Sequence, residues 1–444
     1  MKKIMCIAGT RPEIIKMTPV IKELNKIHGV DTKFVWSGQH YDYNMSKIFF
    51  EELNLHKPDF DLKIGSDTSA RQTGKIMIAL AELMKKYRPD IIVAEGDTNT
   101  VVAASLTAVK ENIPFAHVEA GLRSYDRNMP EEINRSVAGV CAELHFTPTR
   151  NAAINLTYEG IPSHRIHVTG NTIVDVIASY VDRKYQKQLV KKYKIAGTKS
   201  ALLTLHRVEN VDDKKNLQTL MKAMVVLKDV KIIFPIHPRT AKQLKKFGLY
   251  KLLKSSKNIV ITEPLGYLDF LNLLCVIDCV MTDSGGVQEE AFTMQLPTIT
   301  LRYNTERPET VWYGNNVLVG LETSRLVSSV KNILRKPRKH KLKIPNELGD
   351  GNAGKRIASI IYQYLSKGKT PSLNVRESGS AIHKFVIVRK PFRISDLTRN
   401  VWLTAIYNID GEPVLPSKNM IIPKGYAIRL FGPMNDISDV EKIL

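Results

Sequence analysis

Three scarcities bound what this chain of 444 residues can be. It has no apolar run approaching the roughly 20 residues that a helix needs to cross a bilayer, so no membrane association is expected. The lysine-led start, MKKIMCIAGTRPE, breaks its apolar run after five residues and has no small-residue cleavage site. It reads as a first strand rather than a signal peptide, and a cytoplasmic protein is expected. Cysteines number only four (Cys6, Cys141, Cys275 and Cys279) and lie in apolar contexts without zinc-site spacing. With no HxH or HExxH motif either, reduced core thiols are expected, and no metal and no cofactor. Acidic residues are few beside basic ones, 44 against 65, for a net charge of +21. Much of the excess falls in two lysine-rich stretches, 183–199 and 331–343, neither patterned as a base-stacking surface. Solvated helix faces account for them better than a nucleic-acid site.

What is present is a regular alternation. From Lys3 to about Pro371, short β-branched runs such as Ile4–Ala8, Ile91–Ala94 and Pro114–Val118 are separated by amphipathic helical segments. A second series, from Ala201–Leu205 through Lys231–Ile236 and Ile277–Thr282 to Val317–Val319, repeats the pattern. Helices on both faces of parallel sheets follow, in two doubly wound domains. The expected boundaries are 1–170 for the first and 171–354 for the second. A helix near 355–366 returns to pack on the first, and a small β-rich α+β domain occupies 381–444. In such sheets ligands bind beyond the carboxyl ends of the strands, so the residues closing each strand are the candidates.

The stretch IDCVMTDSGGVQEEAFTMQLPTITL (Ile277–Leu301) reads as strand, tight loop, helix, strand. Ser284, Gly285 and Gly286 let backbone approach an anion at a helix start, and Glu290, one turn in, can accept from a sugar diol. An ordinary strand-to-helix turn, with Glu289 and Glu290 complementing the helix dipole, fits these residues equally well. After the first strand, Arg11 and Lys16 flank a helix opened by Pro12 and suit a diphosphate, or are simply a surface pair. Asp97, Glu119 and Glu131 all fall at strand ends or the helix start that follows, where crowded carboxylates shift one another's pKa and share acid and base work. His206 and His237 end neighbouring strands, each beside a cation, and form an anion-facing rim. Arg307, in the polar loop after Leu301, is within reach of the same place.

Eight motifs in order then resemble one family. They are GTRPEIIK (Gly9–Lys16), GDTNT (Gly96–Thr100), HVEAGLRS (His117–Ser124), PEEINR (Pro130–Arg135), TLHRVEN (Thr204–Asn210), TDSGGVQEE (Thr282–Glu290), ERPE (Glu306–Glu309) and DGNAGKRI (Asp350–Ile357). The set is similar to the non-hydrolysing UDP-N-acetylglucosamine 2-epimerases over residues 1–370. The resemblance implies a glycosyltransferase-B-like (GT-B) fold, an α/β arrangement of two Rossmann-like domains facing a cleft. It implies interconversion of UDP-N-acetylglucosamine and UDP-N-acetylmannosamine, and a homodimer. At matching positions it implies Asp97, Glu119, Glu131 and His206 as the catalytic set. Arg11, Lys16, His237, Ser284, Gly285, Gly286, Glu290 and Arg307 become the nucleotide-sugar contacts. Rival readings are a 2-epimerase of a diacetamido-uronic acid, a hydrolysing epimerase, a glycosyltransferase of the same fold, and a non-catalytic nucleotide-sugar sensor.

One motif departs from the bacterial pattern. Gln39-His40-Tyr41-Asp42-Tyr43 stands where many bacterial members have Arg and Gln after the His. That puts in doubt the activator site for a second UDP-N-acetylglucosamine that those enzymes carry nearby. Beyond residue 370 the resemblance ends, and a linker by composition (366–380) leads to the tail. Its ISDL, TAIYNIDGEPVLP and IPKGYAIRLFG segments are similar to the C-terminal ligand-binding domain of potassium-uptake regulators (TrkA-C or RCK-C type). The tail is therefore read either as a small-molecule effector domain or as a dimerisation or packing appendage.

Overall fold

The Ile-, Val- and Phe-rich runs become strands that need no polar alternation, because helices cover both of their faces. In the first half these strands are β1 (Lys2–Ala8), β2 (Val30–Trp36), β3 (Phe60–Asp61), β4 (Ile91–Glu95), β5 (Phe115–Val118), β6 (Leu144–Thr147) and β7 (Ile166–Val168). They form one parallel sheet in the order β3-β2-β1-β4-β5-β6-β7. The second half repeats this with β8 (Ser200–Thr204), β9 (Lys231–Pro235), β10 (Ile259–Thr262), β11 (Cys279–Thr282), β12 (Thr298–Thr300) and β13 (Asn316–Leu318). Their order is β10-β9-β8-β11-β12-β13, again all parallel. Winding therefore reverses beside β1 and β4 in one sheet and beside β8 and β11 in the other, which is where such sheets offer a ligand crevice.

This computed structural model describes residues 1–39, 50, 52–335, 347–367, 381–397, 400–415, 417 and 420–444. His40–Tyr43 and most of the linker segment lie outside the described residues. The chain divides into two compact units, Met1–Tyr180 with Asn346–Val375 and Val181–Pro345 with Arg376–Leu444. In the first unit the helix Ala353–Lys367 packs on the helix Arg11–Leu24. Asp175, from the helix Thr172–Tyr180, accepts the N–H groups of Ala353 and Gly354 at 3.1 and 2.9 Å, satisfying donors that a helix start leaves open.

The cores follow the strands. Met5, Ile7, Ile92, Ala94 and Phe115 are buried in the first unit, and Leu203, Phe234, Met281 and Ile299 in the second. All four cysteines are free thiols, and burial pushes Cys279 up to about 12. One boundary differs from the sequence reading. The N–H of Ile277 still bonds the Leu273 carbonyl at 3.2 Å, closing the preceding helix, so β11 starts only at Cys279. The helix after it begins at Gly285. No helix among the described residues is long and apolar enough to cross a membrane, and none of their acidic, His and Cys side chains form a group that could hold a metal ion.

The C-terminal segment of the second unit is a small antiparallel structure. β14 (Ala381–Ile387), β16 (Trp402–Tyr407) and β18 (Ala427–Pro433) make a sheet in the order β14-β18-β16, and β15 (Phe392–Arg393) pairs with β17 (Ile421–Ile422). Ile406, Ile428 and Leu430 bury their face of the sheet with Ile437 and Val440 of the helix Met434–Ile443. Pro413 makes only an isolated bridge to Tyr407, since proline has no N–H to extend a ladder.

Candidate functional site

In the first unit, β4 ends in Glu95, Glu119 directly follows β5, and the helix after β1 brings Glu13 to the same strand ends. Glu13 lies in the first turn of the helix Arg11–Leu24, buried, and its carboxylate accepts the N–H groups of Gly9 and Thr10 at 2.5 and 2.9 Å and the hydroxyl of Thr98. Burial pushes Glu13 up to about 7, against those three hydrogen bonds. Glu95, the last residue of β4, is also buried. Burial first, and then the neighbouring charge of Glu119, push it well above the usual carboxylate range; Lys16 opposes this, and Glu13 and Asp97 add to it.

Lys16 is buried among these acids, its ammonium bonded to Glu119 and 3.5 Å from Glu95. Glu119 occupies the left-handed region at φ +62°, uncommon for a residue with a side chain. Strain of this kind gathers at functional sites. Asp97 receives the Arg135 guanidinium at 2.5 Å, and its backbone carbonyl accepts the Asn134 amide at 2.7 Å. Arg135 also bonds Glu132 at 2.9 Å, and Glu132 accepts the N–H groups of Ser124 and Tyr125. Glu131 opens the same helix, Pro130–Cys141, four residues before Arg135 and so on the same face. Asp97 and Glu119 thus share one charged cluster with Glu13, Glu95 and Lys16. Glu131 is linked to it through the helix that carries Arg135. Arg11, half-buried, stands at the start of the Lys16 helix.

The second unit places different chemistry at the same topological point. Asp283, following β11, is fully buried and gathers the N–H groups of His206 and Arg207, the Asn210 amide at 3.1 Å and the His206 Nδ1 at 3.0 Å. Burial alone would raise this carboxyl, but the His206 charge and the hydrogen bonds hold it below its ordinary value. With Nδ1 on Asp283, the His206 ring directs Nε2 away from it, and its side chain is 43% exposed. His237 caps the helix Pro238–Lys246, its Nδ1 accepting the Arg239 N–H at 3.2 Å, and its ring centroid is 6.3 Å from that of His206.

Ser284 stands at the N-cap of the helix Gly285–Thr293, and Gly285 and Gly286 form its first turn. A Cβ on Gly285 would lie 2.7 Å from the Arg307 guanidinium, whereas Gly286 has almost nothing around it. Arg307 is buried, with Nε on Glu289 at 3.0 Å and Nη1 on Glu306 at 2.8 Å. Glu306 also receives Arg302 at 2.8 Å and Arg207 at 3.5 Å. This charged network lies beside a helix N-terminus, whose open N–H groups are a setting for an anion. Glu290 is buried on the same helix.

The sequence reading missed Glu13, Glu95, Arg135, Asp283, Glu289 and Glu306. Signals existed for three of them. Glu13 sits three residues after Thr10, the capping-box position. Glu95 closes, and Asp283 follows, a buried and largely apolar strand, where a carboxylate needs a reason. The other three each have one partner distant in sequence, Asp97 for Arg135, Arg307 for Glu289 and Arg207 for Glu306, which no local pattern announces.

A family model described as UDP-N-acetylglucosamine 2-epimerase matches residues 22–362. This chain belongs to that family. A UDP-N-acetylglucosamine 2-epimerase of Methanocaldococcus jannaschii is 47% identical over 365 residues, covering 81% of this chain and 98% of the relative. The crystal structure of the M. jannaschii UDP-GlcNAc 2-epimerase with UDP-GlcNAc and UDP superposes with a TM-score of 0.75, covering 81% of this chain and 99% of that one. A Pseudomonas aeruginosa relative named UDP-2,3-diacetamido-2,3-dideoxy-D-glucuronate 2-epimerase is 36% identical, over 82% of this chain and 99% of its own length. The GT-B-like α/β architecture is therefore that of the UDP-N-acetylglucosamine 2-epimerase family. The family match ends before the C-terminal β domain begins.

Proposed function

We propose that this protein is a non-hydrolysing UDP-N-acetylglucosamine 2-epimerase, interconverting UDP-N-acetylglucosamine and UDP-N-acetylmannosamine. The C2 hydrogen of the sugar has no adjacent carbonyl to acidify it, so direct removal is too slow. Elimination avoids this: a base takes the C2 proton as UDP leaves C1, giving 2-acetamidoglucal. UDP then re-adds while a proton is delivered to the opposite face of C2. Both faces need groups that exchange protons near neutrality. The observation that carries the reading is the carboxylate cluster around Lys16, in which Glu13 and Glu95 are already pushed up by burial.

In this reading Asp97, Glu119 and Glu131 exchange the proton with C2, and Glu13, Glu95 and Arg135 set their surroundings. His206, oriented by Asp283, stabilises the departing diphosphate as preorganised charge. Arg11, Lys16, His237, Ser284, Gly285, Gly286, Glu290 and Arg307 hold the nucleotide sugar. The test is incubation of UDP-N-acetylglucosamine in D2O, with C2 followed by NMR. Deuterium at C2 together with UDP-N-acetylmannosamine is the expected result. Unlabelled, unchanged sugar would refute it, and free N-acetylmannosamine with UDP would select a hydrolysing enzyme. Running UDP-2,3-diacetamido-2,3-dideoxyglucuronate in parallel fixes the substituents at C3 and C6.

A further inference from the structure

The nucleotide side of the second unit is gripped by a domain that lies outside the family match. The segment 302–312 carries Arg302, Glu306 and Arg307, the charged network packed against Gly285. Its last part is the short helix Pro308–Trp312, N-capped by Arg307. Trp312, at the end of that helix, stacks on Phe431 of β18 with ring centroids 4.7 Å apart and planes 7° from parallel. It also stacks on Trp402 of β16 at 5.7 Å, and Trp402 meets Phe431 at 5.8 Å, closing a three-ring cluster. At the other end of the segment, a Cβ on Gly320 would lie 2.5 Å from the Tyr303 ring and 2.9 Å from Leu415 of the C-terminal domain. The Gly320 N–H is bonded to the Arg302 carbonyl at 3.2 Å. The C-terminal domain thus meets the Trp312 end of the segment directly and approaches the Arg302 end at Gly320, leaving the middle to the charged network.

That segment has little freedom of its own. Thr310 donates its hydroxyl to the Arg307 carbonyl at 2.8 Å and accepts from Asn316 at 3.0 Å, and the Tyr313 ring lies 6.2 Å from Phe292 on the glycine helix. Movement of Trp312 is therefore passed to Arg307, whose guanidinium sits where Gly285 leaves room for no more than a hydrogen. The Trp312–Phe431 pair is an offset parallel stack, an arrangement that aromatic rings favour.

We infer that Trp402, Phe431 and Leu415 are positioning residues for Arg307, so that the C-terminal domain sets how tightly the second unit holds a nucleoside diphosphate. This deepens the reading under Proposed function and rests on its assignment of Arg307 to the nucleotide. The experiment uses full-length protein with UDP as the probe, by calorimetry, together with kcat and KM for epimerisation. Trp402→Ala should weaken UDP binding and raise KM roughly three- to tenfold, the range an aromatic stack supplies, while kcat stays within about twofold. Trp402→Phe should restore most of the affinity. Phe385→Ala, on an exposed ring of the same domain, should change nothing.

Wild-type UDP affinity in Trp402→Ala would overturn the inference, as would a loss confined to kcat. Should Trp402→Ala lower the melting temperature of the whole chain, Leu415→Ala, at the opposite end of the segment, carries the test with the same two outcomes. Failure of the epimerase reading is distinguishable: wild-type protein would then bind UDP without exchanging deuterium, and the UDP affinities of the variants would still decide the role of Trp402.

Discussion

The two doubly wound units share a strand order and a crevice position, yet their strand ends hold opposite chemistry. After β1 and β4 the first unit sets Glu13, Glu95 and Asp97, with Glu119 following β5, around the single ammonium of Lys16. After β8 and β11 the second unit sets His206 on Asp283 and a glycine turn over Arg307. In the proposed function one crevice exchanges protons and the other receives an anion. The backbone supplies the place in both, and a few side chains beyond the strands decide its use.

Four experiments break or sharpen that contrast. The largest effect belongs to the acidic side. Asp97→Asn and Glu119→Gln should each lower kcat by about 10²–10⁴ while leaving UDP affinity close to wild type, as read by NMR rates and calorimetry. Equal losses of kcat and UDP affinity would erase the division of labour. Next comes Asp283→Asn, which removes the acceptor that orients His206. A loss of about a hundredfold in kcat is expected, smaller than the cost of removing an orienting aspartate in a serine-protease triad, because here His206 stabilises charge rather than moving the proton.

Third, Gly285→Ala forces a methyl into space held by the Arg307 guanidinium, so UDP should bind about tenfold more weakly with less change in kcat. A tight complex in this variant would remove Arg307 from the nucleotide side. The smallest effect is on stability. Glu13 has a folded pKa raised to about 7 against an ordinary value of 4.5, so the folded state holds the proton more tightly. Its contribution to stability is complete below about 4.5 and is lost as pH rises through about 7. Glu13→Gln keeps the shape without the charge. Its melting temperature relative to wild type should therefore climb between pH 5 and pH 8, and a flat difference would show that Glu13 does not titrate there.

Acid works in the other direction at His117 and His167. Burial pushes both down to about 4, so each is neutral in the folded chain and charges more readily once unfolded. Stability from these two is present above about 6.5 and falls as pH drops through about 4.

Much of this was legible in the sequence because apolar runs and the residues that close them are local. The alternation that announces parallel strands needs only a window of a few residues, and the motifs at Gly96–Thr100 and Thr282–Glu290 fall at strand ends where a ligand crevice belongs. Glu95 was hidden because it reads as the tail of an apolar strand, although it lies inside the acidic cluster. Arg135 and Glu306 were hidden for another reason: their distant partners, Asp97 and Arg207, are brought near by the fold. Strands β3 and β7 are too short, at two and three residues, to leave a periodic signal. The stack of Trp312 on Phe431 joins residues more than a hundred positions apart, and no pattern in either stretch announces the other.

The helix Ala353–Lys367, whose opening N–H groups Asp175 receives, has a consequence for synthesis on the ribosome. The first sheet is complete by Val168, but the helix that covers its opening helix is translated only after the whole of the second sheet. Until then the apolar side of Arg11–Leu24 that this helix will cover has no permanent neighbour. At a translation rate of about 5–20 residues per second, that surface waits on the order of ten seconds or more, the interval in which a nascent chain is most exposed to chaperones and to its own copies.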